Sequence, residues 1–221
     1  ADMTGQSMTH EDFAWLSHRK IDLAGCQANV IRVSFAGEAG FEIHCPMDDV
    51  VAVYDAVMAA GAAHQLRSFG MLALDSMRLE KGYRSWKSDL TSDYTMFDSG
   101  LGRWVNFNKD DFVGRAALQA EKQAGGQREF VTLTLDDPDD ADPFGEAVYL
   151  SNVSIDGADA GLVVSAGYGH RVGASIAMAV VDRQALAKAK DISVLVLGRK
   201  RRATMIEGHV LYDPENAKMK V

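Results

Sequence analysis

Short stretches in the first part of the chain alternate between apolar and polar residues with the period of two that is typical of β-strands. Alternation over residues 20–35, interrupted at Ala24-Gly25, predicts two strands joined by a turn. A second alternating run at residues 41–45 is separated from the first by the glycine-containing residues 37–40. Its apolar side consists of Phe41, Ile43 and Cys45, and its polar side of Glu42 and His44. We therefore predict a β-hairpin formed by residues 31–35 and 41–45.

The next two apolar stretches have the helical period instead. A helix is expected from an Asp48-Asp49 cap to about Ala60, because its apolar residues recur at spacings of three and four. A second helix is expected at about residues 69–81, and Gly82 ends it. Residues 9–16, before the first strand, are expected to form a capped helical turn. Strands and helices that alternate without regular βαβ spacing indicate an α+β fold.

After Gly125-Gly126 the pattern becomes almost purely that of strands. Glycines break the apolar stretches into five or six short strands, and an acidic loop containing proline and glycine is expected at residues 136–145. One short helix is expected at residues 183–189. This pattern predicts a small β-barrel or sandwich. The chain is therefore expected to hold two domains, residues 1–124 and 125–221.

Composition narrows the class of protein. The chain has 221 residues, of which 47% are hydrophobic, so it can bury a substantial core. A net charge of −8 argues against a general nucleic-acid-binding protein, because such a protein must neutralise phosphates. No apolar run is long enough for a transmembrane helix, and the two cysteines lack the spacing of a metal or disulfide motif. We expect no nucleic-acid partner and no membrane partner.

Several motifs that suggest other chemistry fail on their spacing or context. The third glycine of GYGHRVG, residues 167–173, comes one residue too late for a dinucleotide-binding fingerprint, so no flavin or nicotinamide site is expected in this chain. The six histidines form no i, i+4 pair and no cluster with cysteines or carboxylates, so no metal site is expected. RKRR, residues 199–202, is interpreted as solvated turn residues, with a contact for a polyanion as the alternative. Residues 88–107 form a long polar and aromatic loop, a kind of segment that is often functional.

Five stretches carry a family resemblance when they are taken in order along the chain. They are RVSFAGEAGFEI, LDSMRLEKGYRSW, FDSGLGRWV with DFVGRAAL, SAGYGHRVGASIAMAVV and LYDPENAKMK. Together they resemble the folate-binding region of the aminomethyltransferase family, which includes the T-protein of the glycine cleavage system. The chain is most similar to the C-terminal part of the flavin-dependent dimethylglycine and sarcosine dehydrogenases. Leu74 favours that branch, because the glycine-cleavage proteins carry an arginine at this position.

The resemblance implies that residues 1–124 are the second half of a folate-binding domain and that residues 125–221 are the family's C-terminal β-barrel domain. The first half, with the family's catalytic aspartate, is then expected upstream, and the sequence does open without a methionine. The dehydrogenase branch implies FAD in a separate domain still further upstream. No catalytic residue is therefore assigned within this chain, and the chain alone is expected to be inactive.

The same resemblance implies tetrahydrofolate as the cofactor and assigns six residues to its site. Glu42 falls at the family's glutamate that anchors the pterin ring, whose adjacent N3–H and 2-amino groups can both donate to one carboxylate. Phe35 falls where relatives place an aromatic ring against the ligand. The remaining assigned residues are Ile43, His44, Arg103 and Tyr212. The alternative for Glu42 is an ordinary exposed acid on the polar face of a sheet.

The implied function is one-carbon transfer to tetrahydrofolate within a larger enzyme that demethylates an N-methylated amine such as dimethylglycine or sarcosine. A linked flavin domain would supply an iminium or formaldehyde product, which folate captures as 5,10-methylenetetrahydrofolate. Two alternatives stay open: a non-catalytic folate-binding regulatory protein of the same fold, and a standalone folate-dependent aminomethyltransferase or demethylase. The expected location is the cytoplasm, or the mitochondrial matrix in a eukaryote.

Overall fold

The computed structural model describes residues 3–136 and 149–220, so most of the expected acidic loop at residues 136–145 lies outside the described residues. The chain divides into two compact units, one formed by Ala1–Met77 with Asp213–Val221 and the other by Arg78–Tyr212. Residues 78–124 therefore belong with the second unit, and the domain division at residue 125 stays a prediction. Among the described helices, none has both the length and the apolar character needed to cross a membrane.

The first unit contains a three-stranded antiparallel sheet in the order β1-β2-β3. The strands are β1 (His18–Leu23), β2 (Cys26–Ile31) and β3 (Glu42–His44). The turn between β1 and β2 lies at Ala24 and Gly25, as the alternation predicts. The two predicted strands are antiparallel neighbours, but their register is wrong, because Ile31 lies opposite Glu42. The extent of the predicted hairpin is also wrong, because β2 ends at Ile31 and residues 32–41 form a long connection.

The side chain of Arg32 fixes the start of the long connection that follows β2. Arg32 is fully buried, and its guanidinium donates to the backbone carbonyls of Met8 (2.8 Å) and Met219 (3.1 Å). A buried guanidinium is stable only when its donors are satisfied. The Arg32 guanidinium therefore ties the first residue after β2 to two segments distant in sequence, while its backbone still pairs with Leu16 and Ser17.

Helix α1 (Val50–Gly61) packs on the sheet of the first unit and ends within one residue of the predicted position. Asp49 is the N-cap residue, as predicted. Its side chain makes no capping hydrogen bond, so the predicted side-chain cap is wrong. The buried core residues of this unit are Phe13, Ile21, Leu23, Cys26, Ala28, Val30 and Val53. The helical turn expected at residues 9–16 is reduced to one helix-like bond, from the N–H of Phe13 to the carbonyl of Thr9 (2.9 Å).

Helix α2 (Met71–Glu80) follows, and the boundary between the two units falls within it. The second unit adds α3 (Arg115–Ala124), the one-turn helix α4 (Arg183–Leu186) and a closed six-stranded barrel in the order β4-β7-β6-β5-β8-β9. Its strands are β4 (Arg128–Leu135), β5 (Asn152–Ile155), β6 (Ala158–Gly169), β7 (Ala174–Asp182), β8 (Ile192–Val196) and β9 (Arg199–Met205).

The sequence left a β-barrel and a β-sandwich open, and the structure shows the barrel. Small and branched apolar residues from all six strands fill its interior, as closure of so few strands requires. GYGHRVG forms the end of β6 and its connection to β7, as expected for a motif that leads into a strand. RKRR begins β9 and pairs with β8, so its interpretation as turn residues is wrong.

Gly161 marks the closest approach of two barrel strands. A Cβ at this position would collide with the carbonyl oxygen of Val180 and lie 2.7 Å from the Cα of Val181. Two residues further on, the β6–β7 register shifts between Val163 and Ser165. Glycine is therefore required where the bulged strand crosses its neighbour.

We predict that Gly161→Ala lowers the free energy of unfolding by about 1–3 kcal/mol, because rigid backbone has to move to admit the methyl group. Gly70→Ala is the matched control, since a Cβ at Gly70 meets no atom within 4 Å. Thermal and denaturant unfolding of both variants measure the difference. Equal stability of the two variants would contradict the close approach.

Candidate functional site

Glu42 and His44 lie at the two ends of β3 and point to the same face, because alternate residues of a strand share a side. Oε2 of Glu42 lies 3.3 Å from Nε2 of His44. Their side chains are 60% and 57% exposed, so both are accessible to a ligand from solution. Of the six residues assigned from the sequence, these two are brought into direct contact.

Ile43 belongs to the opposite face of the same strand. With Phe41 it lines an open apolar cavity of about 340 Å³, whose walls include Ile21, Val30 and Leu66 but neither Glu42 nor His44. Phe41 and Ile43 are therefore more than a third exposed although they form the apolar side of the strand. β3 thus separates a face with a carboxylate and an imidazole from an apolar concavity.

Phe35 lies in the connection that leads to β3 and is 37% exposed. Two backbone bonds shape this connection: the N–H of Gly37 donates to Oγ of Ser34 (3.0 Å), and the N–H of Ala39 donates to the carbonyl of Lys218 (3.1 Å). Residues near the end of the sequence therefore hold the loop that positions the first residue of β3. Part of the family motif LYDPENAKMK therefore has a structural role, because its Lys218 carbonyl holds this loop.

In the second unit, a buried ion pair organises the long loop that follows α2. Nη1 of Arg78 lies 2.6 Å from Oδ2 of Asp89, and both side chains are almost completely buried. Arg78 also donates to Oγ of Ser165 in β6 (2.8 Å), and the same Asp89 oxygen accepts from the N–H of Ser85 (2.6 Å). This network fixes the start of the loop on the barrel.

Arg103 lies in a one-turn 3₁₀ helix, Gly102–Trp104, later in that loop and is exposed. Its Cζ lies 5.2 Å from the ring of Trp104. Arg84 and His209 belong to the same electrostatic environment, because the charge of Arg103 lowers the pKa of each of them. The sequence analysis missed both residues, since 125 positions separate them and Arg84, although it stands in the family stretch LDSMRLEKGYRSW, was given no role there.

The aromatic ring of Phe130 joins two members of this basic cluster. Cζ of Arg84 lies 4.0 Å from the ring centroid, and the His209 ring meets it edge-on at 5.9 Å. Burial is the main cause that lowers the pKa of Arg84 to about 10, against an opposing effect of Asp89. Burial, and then the charge of neighbouring arginines, disfavours the protonated forms of Arg84 and His209, so an anionic ligand group near them would be favourable.

Tyr212 lies at the end of the second unit, with its ring beneath Arg171. Cζ of Arg171 is 3.8 Å from the ring centroid. Across residues 3–136 and 149–220, no group of three or more histidine, cysteine, aspartate or glutamate side chains could hold a metal ion. The first unit therefore offers an exposed carboxylate with a neighbouring histidine, and the second unit offers basic side chains and a tyrosine packed against arginine.

Comparison with known proteins defines the class of protein. Residues 1–109 match the GCVT N-terminal domain, and residues 128–213 match the glycine cleavage T-protein C-terminal barrel domain. The solved aminomethyltransferase T of the Bartonella henselae glycine cleavage system has the same fold, with a TM-score of 0.74, 23% identity and coverage of 91% of this chain and 54% of that one. The α+β fold with a C-terminal barrel is thus confirmed.

Curated relatives place the chain more narrowly. It is 32% identical to human mitochondrial dimethylglycine dehydrogenase over 96% of this chain and 24% of the relative, and 40% identical to human mitochondrial sarcosine dehydrogenase over 59% of this chain and 14% of the relative. The chain therefore spans at most about a quarter of the length of these dehydrogenases. It belongs to the aminomethyltransferase (glycine cleavage T-protein) family and is similar to its dehydrogenase branch, as the resemblance predicts.

The basic cluster generates a prediction about pH. The pKa of His209 is lowered below its ordinary value of 6.5, first by burial and then by Arg84 and Arg103. The unfolded chain therefore binds more protons than the folded chain below about pH 6.5, so stability is full above that pH and falls as the pH drops. His209→Gln should flatten this dependence. Urea unfolding between pH 5 and 8 tests it, with His18→Gln, an exposed histidine, as the control. An unchanged slope in His209→Gln would contradict the assignment.

Proposed function

We propose that the chain is the folate-binding, one-carbon-transfer part of a larger enzyme that demethylates an N-methylated amine. Similarity to dimethylglycine dehydrogenase over 96% of the chain supports this class of substrate. The structural observation that carries the proposal is the exposed Glu42 carboxylate on a strand at the edge of its sheet. Tetrahydrofolate fits such a group, because its pterin ring presents two adjacent donors.

In this proposal the two oxygens of Glu42 accept from the N3–H and the 2-amino group of the pterin. One carboxylate that accepts two parallel bonds fixes both the position and the orientation of a planar ring. His44, 3.3 Å from one of these oxygens, holds the carboxylate in place on the strand face. Phe35 supplies an apolar surface for the ring, and Ile43 supports the strand from its other face.

Arg103 interacts with an anionic part of the ligand. Tetrahydrofolate carries carboxylates on its glutamyl portion, and Arg84 adds positive charge to the electrostatic environment of Arg103. An arginine can bind a carboxylate through two parallel hydrogen bonds, which is stronger and more specific than a single contact. Tyr212 contributes a further aromatic contact.

The reaction proposed for the larger enzyme has two parts. A separate flavin-containing region would accept two electrons from the methylated amine, giving an iminium or its hydrolysis product, formaldehyde. Bound folate would supply the two nucleophilic nitrogens that take up this carbon to give 5,10-methylenetetrahydrofolate, with loss of water when formaldehyde is the donor and of the demethylated amine when the iminium is the donor. The residues of this chain bind and orient the folate, and this positioning is their contribution to the rate.

We predict that Glu42→Gln weakens folate binding about 30- to 1000-fold, which corresponds to the ~2–4 kcal/mol of a lost charge-assisted bond and an unpaired donor. Stability should change by less than about 0.5 kcal/mol, because the side chain is exposed. Isothermal titration with tetrahydrofolate measures affinity, using the longest natural chain that contains these residues.

The matched control is Glu11→Gln, which removes the same charge from an exposed acid of the same unit. Binding by the unaltered chain and by the control, together with weak binding by Glu42→Gln, supports the proposal. Equal binding by all three would make Glu42 an ordinary exposed acid. Failure of the unaltered chain to bind tetrahydrofolate would overturn the proposed function itself.

A further inference from the structure

Glu80 is a carboxylate that the folate site does not use and that lies almost completely out of contact with water. It is the last residue of α2 and only 1% exposed. A buried carboxylate is costly unless hydrogen bonds satisfy it. Its Oε1 accepts from the backbone N–H groups of Arg171 (2.6 Å) and Val172 (3.2 Å), and its Oε2 accepts from Nε of Arg171.

The backbone carbonyl of Glu80 binds a second segment. It accepts from the N–H groups of Leu211 (3.0 Å) and Tyr212 (2.9 Å). Through its side chain and its main chain, this one residue therefore joins the β6–β7 connection to the segment that carries Tyr212. All of these groups lie within the second unit.

Two glycines make this close approach possible. A Cβ on Gly169 would lie 2.9 Å from Cγ of Glu80, and a Cβ on Gly82 would collide with the carbonyl oxygen of His209. Gly82 also has a φ of +72°, a conformation that other residues adopt only with strain. Gly82 of LEKG and Gly169 of GYGH are thus explained by close packing, Gly82 against the backbone of His209 and Gly169 against Glu80.

Arg171 connects Glu80 to the tyrosine ring. Its Nε is bound to the Glu80 carboxylate, and its Cζ lies 3.8 Å from the centroid of the Tyr212 ring. A guanidinium over an aromatic face is attracted by the electron density of the ring, and more strongly when it is shielded from water. The Arg171 side chain is only 23% exposed. One face of the Tyr212 ring is therefore covered by the Arg171 guanidinium, which is itself held by the Glu80 carboxylate.

From this geometry we infer that Glu80 and Arg171 are positioning residues that set the orientation of the Tyr212 ring for folate. The inference rests on the proposed function in one respect, the role of Tyr212 as a folate contact. Arg171 holds the ring by its face, and Glu80 holds both Arg171 and the backbone of Tyr212. Neither residue is required to touch the ligand.

The orientation of the ring can be measured without any ligand. In protein labelled with 3-fluorotyrosine, ¹⁹F NMR resolves the six tyrosines, and the spectrum of Tyr212→Phe assigns the Tyr212 resonance. Arg171→Met should shift or broaden that resonance and leave the others in place, whereas Arg171→Lys, which keeps a cation, should restore it in part. Arg183→Met is the control, since Arg183 pairs with Glu129 instead. An unmoved Tyr212 resonance in Arg171→Met overturns the inference.

Titration with tetrahydrofolate then tests the link to function. Arg171→Met is expected to bind about 3- to 30-fold more weakly than the unaltered chain, Arg171→Lys to recover part of the loss, and Arg183→Met to bind normally. If the unaltered chain binds and Glu42→Gln does not, but Arg171→Met binds normally, the positioning role is wrong while the proposed function stands. If the unaltered chain does not bind, the proposed function fails, and the NMR result still decides whether Arg171 orients the ring.

Discussion

The buried ion pair between Arg78 and Asp89 is the interaction on which the second unit depends most. Removing one partner of such a pair leaves an uncompensated charge and destabilises a protein by about 3–5 kcal/mol. Here the pair also fixes the backbone that follows α2, because Arg78 donates to the carbonyl of Tyr83 and Asp89 accepts from the N–H of Ser85. The segment that carries Arg84 and leads to Arg103 begins at this anchor. Its irregular path is therefore fixed by buried charge instead of by a helix or a strand.

The same physical solution recurs at Arg32 and at Glu80. In each case a charged side chain is buried and hydrogen-bonded to backbone groups of segments distant in sequence. Such contacts join loops that have no regular ladder of their own, since one guanidinium or carboxylate can serve several backbone partners. Apolar packing then fills each unit separately, around Val30 and Val53 in one and within the barrel in the other. Buried charge thus determines how the loops run, and apolar burial stabilises the sheets.

This difference between loops fixed by buried charge and sheets stabilised by apolar burial explains which elements could be predicted from the sequence. Alternation predicted β1, β2 and the barrel strands, because the side-chain period of a strand is local. It failed at the end of β2, where Arg32 binds the carbonyls of Met8 and Met219, more than 20 and more than 180 positions away. Glu42 was found through the family motif, whereas Arg84 and His209 came together only in three dimensions. Contacts of this range leave no periodic signal in a single sequence.

The shortness of β3 has a thermodynamic consequence. In the described part of the chain it consists of three residues and pairs with β2 alone, so few hydrogen bonds oppose its separation from the sheet. Local opening of such an edge requires much less free energy than global unfolding, and its amide hydrogens exchange correspondingly early. The folate that we propose to bind Glu42 would have to select the closed arrangement from this ensemble. Part of its binding enthalpy is then offset by the entropy lost when the edge becomes ordered.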